Sequence, residues 1–260
     1  MFLRLISIAL AALCVTACAK PAIEFDIPFV ATFGGQPLAC GAVDGAVQLT
    51  DLRFYVSEIY AVAADGENVP VSLVEDATWQ QPGLAMIDLE DGSGACANGT
   101  PVMSRSIRGL VPAADYRGLR FVIGVPFDRN HGDPLKARPP LGDAAMHWHW
   151  RGGYKFLRAG VRTVNDGFWI HLGSTGCEGT IQNITGCSAP NRVVVELQDF
   201  NLQSDAIHVD LAKLVSKTDI TDGELSDCSS GPAETACEEP FALLGLDGGS
   251  QRVFSGYAGH

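Results

Sequence analysis

Histidine and methionine are scarce in this chain, six and four among 260 residues, and no two cysteines stand in a CxxC pair. The missing thiolate pair argues against a structural zinc site or an iron–sulfur cluster, which need closely spaced sulfurs. No P-loop or dinucleotide fingerprint occurs, and Gly173-Ser174-Thr175-Gly176 lacks the spacing of a nucleophile elbow, so hydrolysis is poorly supported. Cations are few as well: 18 Lys and Arg face 30 Asp and Glu, a formal charge of −12 that speaks against nucleic acid and anionic lipid as partners. Amphipathic helical spacing is nearly absent, and Leu211 to Lys217 carries the one helix signal.

What is present begins with MFLRLISIALAALCVTACAK, one Arg followed by an apolar run and small residues. This reads as a secretory signal over residues 1–17, too short and wrongly flanked for a membrane span. Val15-Thr16-Ala17-Cys18 resembles a lipobox, which would make an acylated Cys18 the mature N-terminus, while ordinary cleavage near Ala17-Cys18-Ala19 is the alternative. A lipid on Cys18 would tether the protein to a membrane without crossing it. Periplasm or outer membrane is the expected address. No later stretch is apolar for long enough to span a bilayer.

Export implies an oxidising compartment. Setting aside Cys14 and Cys18 leaves an even set: Cys40, Cys96, Cys177, Cys187, Cys228 and Cys237. Six cysteines allow fifteen connectivities. Cys177 with Cys187 and Cys228 with Cys237 each close a short loop, which leaves Cys40 for Cys96. Residues 18–22 form a tether, and 23–260 read as one domain. Short runs rich in β-branched and aromatic residues, parted by Gly, Pro, Asn and Asp, recur along it: 23–33, 48–63, 69–74, 85–89, 105–110, 116–125, 154–161, 168–172, 192–200 and 206–210. They predict an all-β antiparallel sandwich, immunoglobulin- or cupredoxin-like, with long loops stapled by disulfides. The 48–63 run is one long strand or two joined by a bend. The acidic, Ser-rich 219–240 segment is the expected excursion from the core.

Chemistry concentrates in 130–161, NHGDPLKARPPLGDAAMHWHWRGGYKFLRAGV, which holds three of the six histidines and two of the four tryptophans. Imidazole suits copper in either oxidation state, and thioether and other soft groups suit the cuprous ion, so His147, His149 and Met146 are candidate ligands. A buried aromatic strand with two polar edges is the plain alternative. On a strand, His147 and His149 share one face, with Met146, Trp148 and Trp150 on the other. On a helical turn capped by Asp143, Met146 and Trp150 lie together instead. Either way, histidines and tryptophans do not all converge on one ion. His131 sits in a loop free to orient. His171 shares a strand face with Trp169, where a histidine is more often a hydrogen-bonded structural residue than a ligand.

Three runs together carry a family resemblance: NHxxPLxxxPPL from Asn130 to Leu141, Met-x-Trp-x-Trp-x-x-Gly-Tyr-x-Phe from Met146 to Phe156, and FWIHLGSTGC from Phe168 to Cys177. With Cys187, Cys228, Cys237 and the LGLD run at 244–247, the chain resembles the MbnP-like copper-binding proteins, the metallo-mystery pair four-Cys family. The resemblance implies an exported protein holding copper for storage, delivery or sensing. It also implies a partner, a di-haem c-type cytochrome of the MauG or MbnH type that oxidises a tryptophan to kynurenine. Indole nitrogen has no available lone pair. Opening the ring yields an aromatic amine that does. His131 and His171 stand at the matching histidine positions, and Trp148 or Trp150 at that of the oxidised residue. His147 and His149 fall at variable positions of the motif and remain alternatives. Cys177, Cys187, Cys228 and Cys237 match the four named cysteines, with Cys40 and Cys96 additional. No enzymatic role is expected. A copper oxidase, or a metal-free immunoglobulin-like lipoprotein that binds another protein, are the rival readings.

Overall fold

The structure, a computed structural model, describes residues 21–41, 47–163, 165–181, 183–215, 225–231 and 233–259. The leader, Cys18 and most of the tether lie outside these residues, as do His260 and 219–224 of the expected excursion, whose 225–228 stretch is instead a strand of the larger sheet with Cys228 buried. Among the described residues, no helix is long and apolar enough to cross a membrane.

The chain forms the predicted all-β sandwich. The larger sheet runs in the order Val193–Gln198, Tyr116–Ile123, Gln48–Ala63, Gly153–Arg162, Gly167–Gly173, Leu225–Cys228. The smaller is ordered Phe254–Tyr257, Ala206–Asp210, Ala22–Phe33, Ser106–Pro112, Ser72–Leu73. Most pairings are antiparallel; Ala22–Phe33 with Ala206–Asp210 and Gly167–Gly173 with Leu225–Cys228 are parallel. Gln48–Ala63 is one strand whose register shifts beside Glu58, a residue at φ 49°, so the strand carries a bulge where a bend was an option. The expected helix at 211–217 is a single 3₁₀ turn over Leu211–Lys213.

Alternation sorts the long strands into two cores. Inward residues such as Phe29, Phe54, Phe121, Ile170 and Phe254 are buried between the sheets, with Phe29 and Phe54 edge to face at 5.3 Å across the interface. Such pairs add about 0.5–1.5 kcal/mol beyond the area they bury. The opposite face of the larger sheet has its own cluster: Tyr55, Leu84, Met86, Val125, Leu141, Met146, Tyr154 and Phe156. This second cluster holds the 126–150 segment against the sheet, and so it places the histidine- and tryptophan-rich run. Met146 is fully buried within this cluster.

Beside that cluster lies a buried ionic group. Arg53 and Arg158 are cross-strand neighbours, and like charges set opposite each other repel. Acids neutralise them: Arg53 Nε meets Glu90 Oε1 at 2.8 Å and its Nη1 meets Asp143 Oδ2 at 3.4 Å, while Arg158 pairs with Asp51. Burial, then the neighbouring Asp51, pushes the Glu90 carboxyl up, and burial raises Asp88 to about 6. The group reaches the site through the 3₁₀ turn Ala144–Met146. Asp143 caps it by accepting from Ala145 N at 2.8 Å, and Lys155 Nζ donates to the Ala145 carbonyl at 2.9 Å.

All three expected disulfides form: Cys40–Cys96, Cys177–Cys187 and Cys228–Cys237. Arg53→Ala leaves buried acids without their cation and is expected to cost about 3–5 kcal/mol, read as a lower urea midpoint at unchanged slope. A loss below about 1 kcal/mol would show that the ionic group does not hold this face together.

Candidate metal centre

Asn130 ends the one-turn helix Phe127–Asn130 and is 1% exposed. Its Oδ1 accepts from Tyr154 N at 2.8 Å, so its other end must be the NH₂. That NH₂ donates to the Gly152 carbonyl at 3.2 Å and to His131 Nε2 at 3.2 Å. Nε2 of His131 therefore carries the lone pair, and Nδ1 the proton. Burial lowers the His131 pKa, an effect the Trp150 backbone partly offsets, although Nδ1 makes no hydrogen bond of good geometry. The ring leans edge-on against Phe127 at 5.2 Å, and Nε2 lies 3.6 Å from Cys187 Sγ.

The motif after it combines both local structures that the sequence allowed. Residues 144–146 make the capped 3₁₀ turn, and His147–His149 is a short strand paired with Gly153–Arg162. Trp148 packs against Gly173: a Cβ there would stand 2.6 Å from the indole Cζ3. It also lines a cleft of about 450 Å³ together with His149, Arg151, Thr175, Cys177 and Ser229. Trp150 is half-buried, with the Arg151 guanidinium 4.9 Å from its ring centre.

His171 lies on the outer face of the larger sheet, two residues before Gly173 and directly across from Arg158. Burial first, then Arg158 and Lys155, depress its pKa to about 4, with Asp227 opposing. A neutral imidazole is the form that binds metal. Its backbone is locked by two residues that the sequence did not single out. Ser230 Oγ donates to the His171 carbonyl at 2.9 Å and accepts from Gly173 N at 3.2 Å, and Asn191 Nδ2 donates to the Gly173 carbonyl at 2.8 Å.

His131 and Trp148 thus border the same Cys177–Cys187 bridge, and Trp148 rests on the strand end that carries His171. The other histidines are placed differently. His149 is exposed, and its Nδ1 accepts from Arg151 N and Gly152 N, both at 3.2 Å. In its neutral form the proton is then on Nε2, and binding a metal through Nδ1 would break two backbone hydrogen bonds where His131 gives up one side-chain contact. His147 stands edge-on to Tyr154 at 5.1 Å, its Nε2 enclosed without a partner and its pKa lowered by burial, then by His149 and Lys155. His208 stacks on Tyr257 on the smaller sheet, away from this group. Among the described residues, two groups bring three ligand-type atoms within 4.8 Å of one another: His131 with Cys177 and Cys187, and Glu234 with Cys228 and Cys237. In both, the sulfurs are bonded to each other.

The His171 ring should titrate by NMR with a midpoint near 4, where an ordinary histidine titrates near 6.5. The depressed value gives a stability contribution that is whole above pH 6.5 and lost as pH falls toward 4. His171→Gln should remove that part of the acid dependence; a midpoint near 6.5 would contradict the placement. Gly173→Ala should dislodge Trp148, seen as altered tryptophan emission with a stability loss of about 1–3 kcal/mol. Unchanged emission would mean that the indole does not depend on this contact.

Among curated proteins, none matches the chain. Among solved structures, MbnP from Methylosinus trichosporium superposes with a TM-score of 0.77 at 23% identity, over 92% of this chain and 100% of that one, a likeness of fold. The MbnP family model matches residues 22–230. A match over that much of its length makes this chain a member of the MbnP family.

Proposed function

We propose that the protein is exported and holds one copper ion, with His131 and His171 as nitrogen donors and Trp148, oxidised to kynurenine by a di-haem partner, as the third. The observation that carries this reading is the position of Trp148: it lines the open cleft, borders the bridge that His131 touches, and rests on the strand end two residues from His171. Trp150 suits oxidation less well, because the Arg151 cation over its ring disfavours removal of an electron from it.

The residues present fit such an ion. Both histidines are held neutral by burial, and their donor class suits copper. Bound copper would supply a redox-capable centre with nitrogen ligands. Asn130 orients His131 and gives up its 3.2 Å contact with Nε2 when that lone pair is used. Arg158 and Lys155 hold off a proton from His171, and they also lower the affinity of that side of the site for any cation. The cleft admits the partner's oxidant to the indole. The three disulfides support an oxidising compartment, and the lipobox-like run ending at Cys18 supports a lipid tether at the periplasmic or outer membrane. Storage, delivery and sensing all follow from one such site.

Protein made together with its di-haem partner should yield a peptide in which position 148 is one carbon poorer and one oxygen richer by mass spectrometry. It should bind one equivalent of copper. His131→Ala with His171→Ala should weaken binding at least 100-fold, whereas His147→Ala with His149→Ala should leave it within about threefold. Loss of binding on removal of His147 and His149, or modification confined to Trp150, would overturn the assignment.

A further inference from the structure

We propose that opening the Cys177–Cys187 bridge turns this corner of the protein into a second kind of metal site, an S₂N site for a soft or borderline d¹⁰ cation, with His131 as its nitrogen donor.

Three observations carry it. First, His131 Nε2 and the two sulfurs lie within 4.8 Å of one another, with Nε2 3.6 Å from Cys187 Sγ. The bond between the sulfurs is all that stops them acting as ligands, since thiolate and not disulfide sulfur binds metal. Second, the nitrogen facing them is the one that carries the lone pair, because the opposite end of Asn130 is fixed by Tyr154 N. Third, this bridge is the accessible one. Cys187 is half-buried, whereas Cys40, Cys96, Cys228 and Cys237 are at most 3% exposed. Exposed disulfides are the ones that exchange readily.

Opening the bridge costs little structure. It joins Thr175–Thr180 to Asn183–Ala189, a two-stranded hairpin outside both large sheets. The hairpin keeps its ladder on either side of the bridge, from Thr175↔Ala189 to Thr180↔Asn183. The reductant is a dithiol. Its two thiols pass two electrons and two protons to the bridge, giving two protein thiols and one cyclic disulfide; the metal then displaces the thiol protons. The sulfur donors lie against the same imidazole that the copper reading uses, so oxidation state at this bridge selects between a nitrogen-rich and a sulfur-rich environment for His131. The inference does not depend on tryptophan oxidation.

The test uses the full-length protein made without any haem partner, so that its failure and that of the copper reading are separable. A limiting amount of dithiothreitol, followed by alkylation and peptide mapping, should label Cys177 and Cys187 before the other four cysteines. Reduced protein, freed of dithiothreitol under argon, should bind one equivalent of Cd²⁺ with thiolate-to-metal charge-transfer absorption. Cys177→Ser with Cys187→Ser should abolish that band, and His131→Ala, which keeps every bridge, should weaken binding at least tenfold. Cys228→Ser with Cys237→Ser should leave the band in place. Labelling of another pair first, absence of the band, or Cd²⁺ affinity indifferent to His131→Ala would each overturn the proposal.

Discussion

One buried amide ties the candidate site together. Asn130 closes a helical turn, holds the start of the Gly153–Arg162 strand through Tyr154 N, binds the Gly152 carbonyl in the turn after the two tryptophans, and presents its last N–H to His131. Each contact is modest, about 1 kcal/mol by itself, but all three fix one geometry. Gly153 shares the constraint: it sits at φ 77°, and a Cβ there would lie 2.3 Å from the Asn130 carbonyl oxygen. The loop histidine, which in the sequence is free to orient, is thereby given a defined lone pair and a defined direction.

The scaffold beneath holds this geometry in place. The second apolar cluster pins 126–150 to the outer face of the larger sheet, and the ionic group of Arg53, Arg158, Asp51, Glu90 and Asp143 clamps the turn that leads into His147. Buried charges are a costly way to gain stability, and apolar residues would serve as well. Their use here fits a positioning role: Arg158 supports the turn through the Ala145 carbonyl and faces His171, where it adds to burial in keeping that ring neutral. Trp148 and Gly173 extend the same logic to the cleft, where the missing side chain of one makes the seat of the other.

Much of the sandwich is legible in the sequence because its strands alternate cleanly. Gln48–Ala63 and Ala206–Asp210 begin and end where residue type changes, and the cysteine pairing follows from loop length. The hairpin Thr175–Thr180 with Asn183–Ala189 is hidden, since its small and polar residues bury no apolar face and give no period. The ionic group is equally obscure: charged residues in a strand look solvated until a second layer covers them. At the site, the family resemblance points to His131, His171 and the tryptophan pair, but not to how they are arranged. His149 looks as good a ligand as any until its Nδ1 is seen accepting from two backbone N–H groups. Asn130, Asn191 and Ser230 carry no such signal, because an amide or hydroxyl acquires its role only from what the fold places beside it.

The central claim is that Trp148, converted by a partner, joins His131 and His171 around one copper ion. A crystal structure of the copper-loaded protein, purified after co-production with the di-haem partner, tests it most directly. The account predicts one copper bound by His131 Nε2, a His171 nitrogen and the aromatic amine at position 148, at the mouth of the cleft. Copper on His147 or His149, or an intact indole at 148 with copper elsewhere, would contradict it.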